Sequence, residues 1–597
     1  MSTESQGRLD ALLAHVSSAS NTWLFMRRKQ LGLYYVAQHA ADAGFAVRID
    51  SLSSNDHVAP RLTRLLRERD CPVLGLYVDH DNMWEVRRIV AAVKAALPMV
   101  QVVLGGPQVT AAAAHVLSHI PQALCGVIGE GEETFVELLR HLLTGTPALS
   151  ACRGIAFQDG EVVVRTAPRP PIANLDRLSI PRRRELTIED DDDYPASLLT
   201  GRGCFGRCAF CVEGHLVAGS GPRVRLHSIE RCFQEIDYLI REFQPSYITI
   251  MDDTFVTQPP RLREFCKGLV HRYGDTVKWY CEARVDTLFR HQDLLPLMIE
   301  AGLIRLQVGG ESGCQQVLEA YRKGTTVEEL RWVARETHRL GLLSCYVNFI
   351  IGGAFETMET YRMTRDLACE LLELAPGCVG VGHSYFTPYP ATPIFERPEQ
   401  YGLEIIDRDA ATGFGDAHVF CRTEALSRFD ILALGPDFDA HVRHTMERLS
   451  ESLSDAMVDR IFGAAAKWKM KNEWYDVLCR DPLLFGYYES IYEGESLRFD
   501  KVQRSNIDDQ VPMRVVELRS SRGNQYVIRA PRSRIFQLDP LDSMAIELST
   551  GKLSFAEIVD TIADRLDGMP HQSVRQMLLD RFAHFDEERV VLWKNQI

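Results

Sequence analysis

Three cysteines stand close enough together to form a metal site. Cys204, Cys208 and Cys211 lie within residues 203–211 at spacings of four and three. Three thiolates can ligate three irons of a 4Fe–4S cube and leave the fourth iron open, whereas clusters that only transfer electrons usually have four cysteine ligands. The alternative is a structural zinc site, which needs a fourth ligand, and only His215 is nearby. The ligand count therefore favours an open iron–sulfur cluster.

The segment before these cysteines alternates short apolar runs with amphipathic helices. A helix is predicted over residues 83–96. The strand candidates are residues 22–26, 45–49, 73–78, 100–104 and 123–128. This alternation predicts a doubly wound parallel α/β domain over residues 1–150. Ligands of such sheets bind beyond the carboxyl ends of the strands, where Gly105, Gly106, Gly129 and Gly131 stand.

A second alternation of strands and helices begins near Ser197. The strand candidates are residues 247–251, 276–281, 305–308, 346–351 and 379–383. The pattern predicts a partial (β/α) barrel over residues 196–396. Several polar or glycine residues stand at its strand ends, where they would face the mouth of the barrel: Gly309, Gly310, Glu311 and Asn348.

A chain of 597 residues is expected to contain three or four folded units. Between the two alternating regions, residues 151–195 are rich in Pro and Arg and are predicted to be a linker and a cover strand. After the barrel, residues 397–505 have a helical pattern, and residues 506–597 combine β-like segments with helices as a separate small domain.

Composition excludes several classes of protein. The net charge is −14, and Lys and Arg are spread along the chain, which argues against a nucleic-acid partner. No apolar run is long enough to cross a bilayer, and the N-terminus does not resemble a secretion signal, so a cytoplasmic enzyme is expected. Fifteen cysteines in such a chain do not predict a disulfide framework.

The cysteine loop resembles the signature of the radical S-adenosylmethionine (SAM) superfamily, CxxxCxxC with an aromatic residue before the last cysteine, here Phe210. The resemblance implies that the open iron chelates SAM and that an external donor supplies electrons. Gly309, Gly310 and Glu311 are similar to the family's glycine-rich strand end near the methionine moiety. Asn348 resembles the family's residue on the strand near the adenosine.

The N-terminal domain together with the barrel, roughly residues 22–395, resembles the cobalamin-dependent branch of that superfamily. The resemblance places the corrinoid across the glycine turns at the strand ends. One position departs from the pattern, because Lys29 stands where other cobalamin domains have the cobalt-ligating His of Asp-x-His-x-x-Gly, although Gly32 fits. His80 is an alternative ligand. A weakly coordinated lower face favours polar transfer of a methyl cation.

Residues 526–593 resemble the small PqqD-like domains that bind leader peptides, which implies a possible peptide partner on a sheet edge. A winged helix used only for packing is the alternative. The order and length of all the regions resemble tryptophan 2-C-methyltransferases of thiostrepton-type antibiotic biosynthesis, which implies free tryptophan as the substrate. A base would then remove the indole N–H proton, and the candidates at the barrel mouth are Tyr346, Tyr385, His383 and Glu311.

Three other functions stay open. An enzyme of the same class could methylate an sp3 carbon of a peptide or small molecule by hydrogen abstraction, with 5′-deoxyadenosine formed in step with product. A peptide-binding scaffold with vestigial cofactor sites is opposed by the intact Cys204, Cys208 and Cys211. A cluster-only enzyme would have a corrinoid-free N-terminal domain.

Overall fold

The computed structural model describes residues 7–17, 30–53, 57–188, 196–216, 222–411, 418–494, 496–502, 504–520, 526–566 and 569–594. The chain divides into two compact units, Met1–Thr445 and Met446–Ile597. The region predicted to be helical, residues 397–505, therefore falls partly in each unit. None of the described helices combines the length and the apolar character that a membrane span requires.

A seven-stranded sheet forms the N-terminal part of the first unit. Its strands are β1 (Ala11–Ser17), β2 (Val47–Ser53), β3 (Val73–Tyr77), β4 (Gln101–Gly105), β5 (Cys125–Val127), β6 (Ile155–Asp159) and β7 (Val162–Arg165). Its helices are α1 (Leu31–Asp42), α2 (Val58–Glu68), α3 (Met83–Ala96), α4 (Pro107–His119) and α5 (Glu132–Thr144). The strand order is β2-β1-β3-β4-β5-β6-β7, and β1 to β5 are parallel. The predicted parallel α/β domain is confirmed, and α3 has the predicted bounds.

The strands are apolar because both faces of the sheet are covered. Within β3, Val73, Leu74 and Leu76 are each at most 2% exposed, which is typical of parallel strands packed between two helical layers. Two separate apolar cores therefore form, one on each face of the sheet.

Two features of this sheet differ from the sequence expectations. The predicted first strand, residues 22–26, lies outside the described residues, and the first described strand is Ala11–Ser17, which pairs with both β2 and β3. Residues 151–195 were expected to be a linker and a cover strand; they supply two strands, since β6 and β7 form an antiparallel hairpin that extends the sheet beyond β5. The Pro- and Arg-rich run, residues 165–171, begins only at the end of β7, so it does not mark the hairpin.

The second sheet forms the predicted partial barrel. The sheet consists of β8 (Ala196–Leu198), β11 (Ile248–Ile250), β12 (Trp279–Ala283), β13 (Leu303–Glu311), β14 (Ser344–Ile351) and β15 (Val379–Tyr385). A neighbouring two-stranded ribbon consists of β9 (Gly201–Arg202) and β10 (Arg225–Leu226). Helices α6 (Arg183–Leu186), α7 (Glu213–Leu216), α8 (Ile229–Phe243), α9 (Pro259–Tyr273), α10 (Val285–Arg290), α11 (Leu294–Glu300), α12 (Gln315–Ala320), α13 (Val327–Arg339) and α14 (Met358–Leu374) accompany it. The sheet order is β15-β14-β13-β12-β11-β8, with all neighbours parallel. The ribbon is the antiparallel pair β9 and β10.

The elements that follow the barrel sheet in the first unit are α15 (Pro393–Glu396), β16 (Leu403–Ile405), α16 (Arg408–Ala411), β17 (Cys421–Thr423) and α17 (Arg428–Ser450), which continues past the unit boundary. Strands β16 and β17 pair in an antiparallel ribbon.

The second unit has its own apolar core, which includes the buried rings of Phe555, Phe582 and Trp593. Its helices are α18 (Asp455–Trp468), α19 (Glu473–Leu478), α20 (Pro482–Tyr492), α21 (Pro540–Leu548), α22 (Phe555–Arg565) and α23 (His571–Glu587). Its strands are β18 (Ser496–Leu497), β19 (Pro512–Arg514), β20 (Glu517–Ser520), β21 (Tyr526–Arg529), β22 (Ile535–Gln537) and β23 (Val591–Lys594). They form two antiparallel sheets, β18-β23-β19 and β20-β21-β22.

Candidate functional site

The cluster loop, residues 203–211, leaves β9 and carries the three predicted cysteine ligands. Cys208 is buried, whereas Cys204 and Cys211 are partly exposed. A Cβ atom on Gly206 would lie 3.3 Å from the Cys204 sulfur and 3.7 Å from the Cys208 sulfur, so these two thiols converge. Burial raises the pKa of the Cys211 thiol, and the other two sulfurs are near enough to raise it further. Three converging thiols fit the three-cysteine ligation of a 4Fe–4S cluster.

Arg284 places a positive charge beside the cluster loop. Its Nη1 donates to the Cys208 sulfur at 3.5 Å, and its guanidinium lies 5.3 Å from the Phe205 ring centroid. The side chain is held in place because Nε donates to Asp286 Oδ1 at 3.0 Å and Nη2 donates to the carbonyl of Lys323. Hydrogen-bond donors to the sulfurs stabilise the negative charge of a cluster, so Arg284 is suited to tune the reduction potential of a bound cluster.

Tyr321 joins the cluster loop to the turn after β14. The Ala209 N–H donates to the Tyr321 carbonyl at 2.8 Å, and the edge of the Phe210 ring packs on the Tyr321 ring at 5.0 Å between centroids. On the other side, the Ala354 N–H donates to the Tyr321 hydroxyl at 3.3 Å. A Cβ atom on Gly353 would overlap that hydroxyl, so this glycine makes room for the connection. The predicted adenosine-side turn is thereby fixed relative to the cluster.

The predicted methionine-side strand end holds a buried ion pair. Lys323 Nζ donates to Glu311 Oε1 at 2.6 Å, and the two side chains are 11% and 8% exposed. Burial lowers the pKa of Lys323, but the Glu311 carboxylate outweighs it and the net shift is upward. A Cβ atom on Gly309 would lie 2.6 Å from Lys323 Nζ, and one on Gly310 would lie 2.7 Å from Val347. Gly309 therefore makes room for the ion pair, and Gly310 makes room for the neighbouring strand β14.

The side chains of β14 alternate between the two faces of the barrel sheet. Tyr346 and Asn348 are partly exposed, whereas Val347 between them is buried. Asn348 Nδ2 donates to Ser384 Oγ of β15 at 3.4 Å, and the Arg305 guanidinium lies 5.5 Å from the Tyr346 ring centroid. Tyr346 and Asn348 therefore share the open face of the sheet with polar neighbours.

The other two predicted bases lie against α17 instead. The Tyr385 hydroxyl donates to the Leu432 carbonyl at 2.9 Å, and His383 Nδ1 lies 3.2 Å from Asp439 Oδ1. A Cβ atom on Gly435 would lie 2.8 Å from His383 Nε2, so that nitrogen also faces the helix. The structure thus separates these two side chains from the polar face of β14.

The predicted corrinoid-binding glycines lie at the carboxyl ends of β4 and β5. Gly105 ends β4, and Gly106 precedes α4 with φ of +109°; a Cβ atom on Gly106 would lie 2.6 Å from the Val78 carbonyl oxygen. Gly129 has φ of +80°, and no atom lies within 4 Å of where its Cβ would stand. A Cβ atom on Gly131 would lie 3.0 Å from a valine of α1. The open space beside Gly129 fits a bound group at these strand ends.

The loops at these strand ends, which we call the corrinoid mouth, comprise residues 78–82, 105–107 and 128–131. His80 of this mouth meets the segment that follows β15, because its Nε2 lies 3.3 Å from the Tyr389 hydroxyl and the two rings meet edge to face at 4.7 Å. The same nitrogen lies 3.3 Å from Asp81 Oδ1. Lys29, the residue in the position of the expected cobalt ligand, lies outside the described residues.

Ion pairs connect the corrinoid mouth to the base of the cluster loop. Arg202 of β9 lies 3.1 Å from Glu130 and 2.5 Å from Glu132, and its guanidinium stands 5.3 Å from the Tyr35 ring centroid. Arg225 of β10 pairs with the same Glu130 at 2.8 Å. Glu132 is almost fully buried, so the pairs are shielded from solvent. The strand that leads into the cluster loop is thereby anchored to the loop after β5.

Sequence reasoning missed Lys323, Tyr321 and Arg202. Lys323 and Tyr321 follow α12, and no motif marks them, because their partners come from other strand ends. Arg202 stands two positions before Cys204, and the glycine loop after β5 carries Glu130 and Glu132. The opposite charges of these two segments are the signal from which the pairing could have been predicted.

Two family models match the two alternating regions. The B12 binding domain matches residues 28–139, and the Radical SAM superfamily matches residues 198–368. These matches cover the corrinoid mouth at Gly105 to Gly131 and the cluster loop with the strands from β10 to β14.

Relatives align over both regions. An uncharacterized methyltransferase of Pyrococcus horikoshii is 28% identical over 375 residues, which cover 61% of this chain and 77% of that protein. The anaerobic magnesium-protoporphyrin IX monomethyl ester cyclase of Cereibacter sphaeroides is 27% identical over 361 residues, or 58% of this chain and 56% of the cyclase. The chain therefore spans little more than half of the cyclase's length.

Among solved structures, the radical SAM methyltransferase TsrM from Kitasatospora setae, with cobalamin and a [4Fe-4S] cluster bound, has the same fold. The TM-score is 0.59 at 17% identity, with 81% of this chain and 100% of that chain covered. The chain therefore pairs a B12-binding domain with a radical SAM domain, and its cofactors are cobalamin, a 4Fe–4S cluster and S-adenosylmethionine.

Proposed function

We propose that the protein is a SAM- and cobalamin-dependent methyltransferase that methylates an unactivated carbon of a small molecule. One observation carries the proposal: the strand ends that hold the cluster and those of the corrinoid mouth meet. Tyr389 contacts His80, and Arg202 pairs with Glu132. Ligands bind at such strand ends, so both cofactors would open onto one shared space. A methyl group could then pass between them without leaving the protein.

The residues beside the cluster loop are suited to hold SAM. Glu311 and Lys323 offer one negative and one positive charge at the methionine-side strand end. Tyr321 fixes the turn on the adenosine side through Ala354. Cobalamin, when bound, supplies a cobalt centre that accepts a methyl group from a sulfonium and donates it to a nucleophile. The methyltransferase names of the Pyrococcus relative and of TsrM agree with this use of the two cofactors.

The substrate that we propose is free tryptophan, methylated at C2 of the indole by polar transfer. The indole C2 attacks a methyl cation equivalent. The C2–H proton leaves afterwards, which restores the aromatic ring, and N1 regains its hydrogen; the attack itself is assisted by a base that takes the ring N–H proton. Tyr346 is the candidate that the geometry favours for receiving this proton, since it lies on the open face of β14 beside Arg305. Glu311 is already paired with Lys323, and Tyr385 donates to Leu432.

Radical methylation of an sp3 carbon is the alternative, and the cyclase among the relatives shows that proteins of this kind are not all named as methyltransferases. The two routes differ in a product that can be measured. Radical abstraction consumes a second SAM and releases 5′-deoxyadenosine, whereas polar transfer releases only S-adenosylhomocysteine.

The test is anaerobic turnover of the reconstituted protein with cobalamin, SAM, a reductant and tryptophan, with methyltryptophan and 5′-deoxyadenosine scored in one sample. Methyltryptophan without deoxyadenosine supports the proposal. Tyr346→Phe should then reduce kcat by roughly 100-fold or more, the range expected for loss of a general base. Tyr273→Phe is the matched control, because its hydroxyl donates to Asp237 on the helical layer. Deoxyadenosine in step with a methylated product would replace the polar route with the radical one.

A further inference from the structure

A cluster of metal-binding side chains lies at the end of α4. His115 and His119 stand one helical turn apart, and Asp409 of α16 approaches both. His115 Nδ1 lies 3.3 Å from Asp409 Oδ1, and His119 Nε2 lies 3.2 Å from Asp409 Oδ2. One potential ligand atom from each residue lies within 4.8 Å of the other two. The two imidazoles are largely covered, at 19% exposure each, whereas the carboxylate is 66% exposed.

The hydrogen bonds of His119 leave Nε2, the ring nitrogen that faces Asp409, able to bind a metal through its lone pair. Its Nδ1 lies 3.0 Å from the His115 carbonyl oxygen, which can only accept, so Nδ1 carries the proton. In the neutral ring Nε2 is then unprotonated, and it faces a carboxylate oxygen at 3.2 Å. Either a proton on Nε2 or a bound cation would turn this contact into an attractive one. A carbonyl that fixes the tautomer in this way is the usual partner of a metal-binding histidine.

The His115 and His119 ring centroids are 4.3 Å apart, so the two imidazoles can share one cation with the Asp409 carboxylate.

The spacing matches the edge of a tetrahedral site. Ligand atoms bonded to zinc at about 2.0–2.1 Å and separated by a tetrahedral angle lie about 3.3 Å apart. The His115 distance of 3.3 Å and the His119 distance of 3.2 Å are close to that edge, and they run to the two different oxygens of the Asp409 carboxylate, so either oxygen can serve as the third ligand atom. Two imidazoles and one carboxylate also suit zinc or a similar transition metal better than Mg²⁺ or Ca²⁺, which prefer oxygen ligands.

We propose that His115, His119 and Asp409 form a binding site for Zn²⁺ or a similar divalent transition metal, with water as the fourth ligand. His119 is the last residue of α4, which is kinked at Ala112, so it lies at most about 18 Å from Pro107 at the corrinoid mouth. The metal is therefore structural rather than part of the methyl-transfer site. It fastens α16 to α4, the helix whose first turn follows Gly106.

The experiment measures zinc on the full-length protein with its 4Fe–4S cluster reconstituted, so that the cluster cysteines are occupied. After exposure to Zn²⁺ and removal of loosely bound metal, metal content and the zinc K-edge absorption spectrum are recorded. The wild type should retain about one zinc with nitrogen and oxygen neighbours near 2.0 Å and no sulfur near 2.3 Å. Competition with a chromophoric chelator gives the affinity.

His119→Ala and Asp409→Asn should each weaken zinc binding by more than about 100-fold, since loss of an outer partner alone costs 10- to 100-fold. His571→Ala is the matched control, because His571 pairs with Asp560 at 2.9 Å without a second histidine, and it should not change zinc binding. Asp409 is exposed, so its variant tests the site without disturbing a core. The proposed site would be overturned if Asp409→Asn retained as much zinc as the wild type, or if the wild type bound no zinc. It would also be overturned if the absorption spectrum showed sulfur ligands on the zinc.

Discussion

The cluster loop and the corrinoid mouth prepare their sites by opposite means. The cluster loop presents side chains: three converging thiols and the Arg284 guanidinium that donates to Cys208. The corrinoid mouth presents backbone, since Gly106 and Gly129 have positive φ and Gly129 borders open space. The first region should therefore fail when a side chain is removed, and the second should fail when one is added.

The two regions are also coupled through a few contacts. Arg202, which leads into the cluster loop, pairs with Glu130 and Glu132 of the corrinoid side. Tyr389 reaches His80 from the barrel side. Substitutions within one region should weaken the binding of one cofactor. Substitutions of the contacts between the regions should weaken the binding of both cofactors, to a smaller extent.

Removal of a cluster thiol should have the largest effect. Cys208→Ala leaves two cysteine ligands, so the protein should lose the 4Fe–4S absorbance, its bound iron and all turnover together. Iron content and activity of the anaerobically reconstituted variant check this. Cys266→Ala is the control, because Cys266 is an equally buried cysteine of α9 outside the loop, and it should keep its iron. Full turnover by the Cys208 variant would refute the cluster assignment.

Loss of the buried ammonium beside the cluster should come next. Lys323→Met leaves the Glu311 carboxylate buried without its partner, which typically costs about 3–5 kcal/mol. The dissociation constant for SAM should rise by at least tenfold while the iron content stays normal. The double variant Lys323→Met, Glu311→Gln removes the stranded charge and should regain stability but not SAM affinity. If the double variant binds SAM like the wild type, the pair serves only the fold.

The grouping of the three thiols could be predicted from the sequence because residues of one short loop must be close in space. The strands of the barrel could be predicted because each places apolar side chains on a buried face, as β14 does with Val347 and Phe349. The partner of Glu311 could not be predicted from the sequence, since Lys323 lies beyond α12 and meets Glu311 only in the folded protein. The orientation of Tyr385 towards α17 depends on tertiary packing, which a single strand pattern does not encode.

Adding one methyl group to the corrinoid mouth should have an intermediate effect. Gly106→Ala puts a Cβ atom 2.6 Å from the Val78 carbonyl at φ of +109°, so the turn must shift. Backbone strain of this kind costs about 1–3 kcal/mol, which predicts a cobalamin dissociation constant raised about 5- to 150-fold. Gly44→Ala is the control: its φ is +94°, nothing lies within 4 Å, and it follows α1 away from the mouth.

Cobalamin titration followed by absorbance checks both glycine variants, and the iron content should be normal in each. The control should lose stability but keep its cobalamin affinity. Equal loss of affinity in Gly106→Ala and Gly44→Ala would mean that the mouth is not shaped by its backbone as proposed.

Removal of the contact between the two regions should have the smallest effect. Tyr389→Phe deletes the hydroxyl that lies 3.3 Å from His80 Nε2, and one neutral hydrogen bond contributes about 0.5–1.5 kcal/mol. Cobalamin affinity should fall by no more than about tenfold, and the turnover rate should fall with it because the barrel side is no longer held at the mouth. The measurement is a double-mutant cycle with His80→Ala. If the contact carries the effect, Tyr389→Phe adds nothing in the His80→Ala background. Additive losses would show that each side chain acts alone, and the two regions would then be coupled only through Arg202 and its carboxylates.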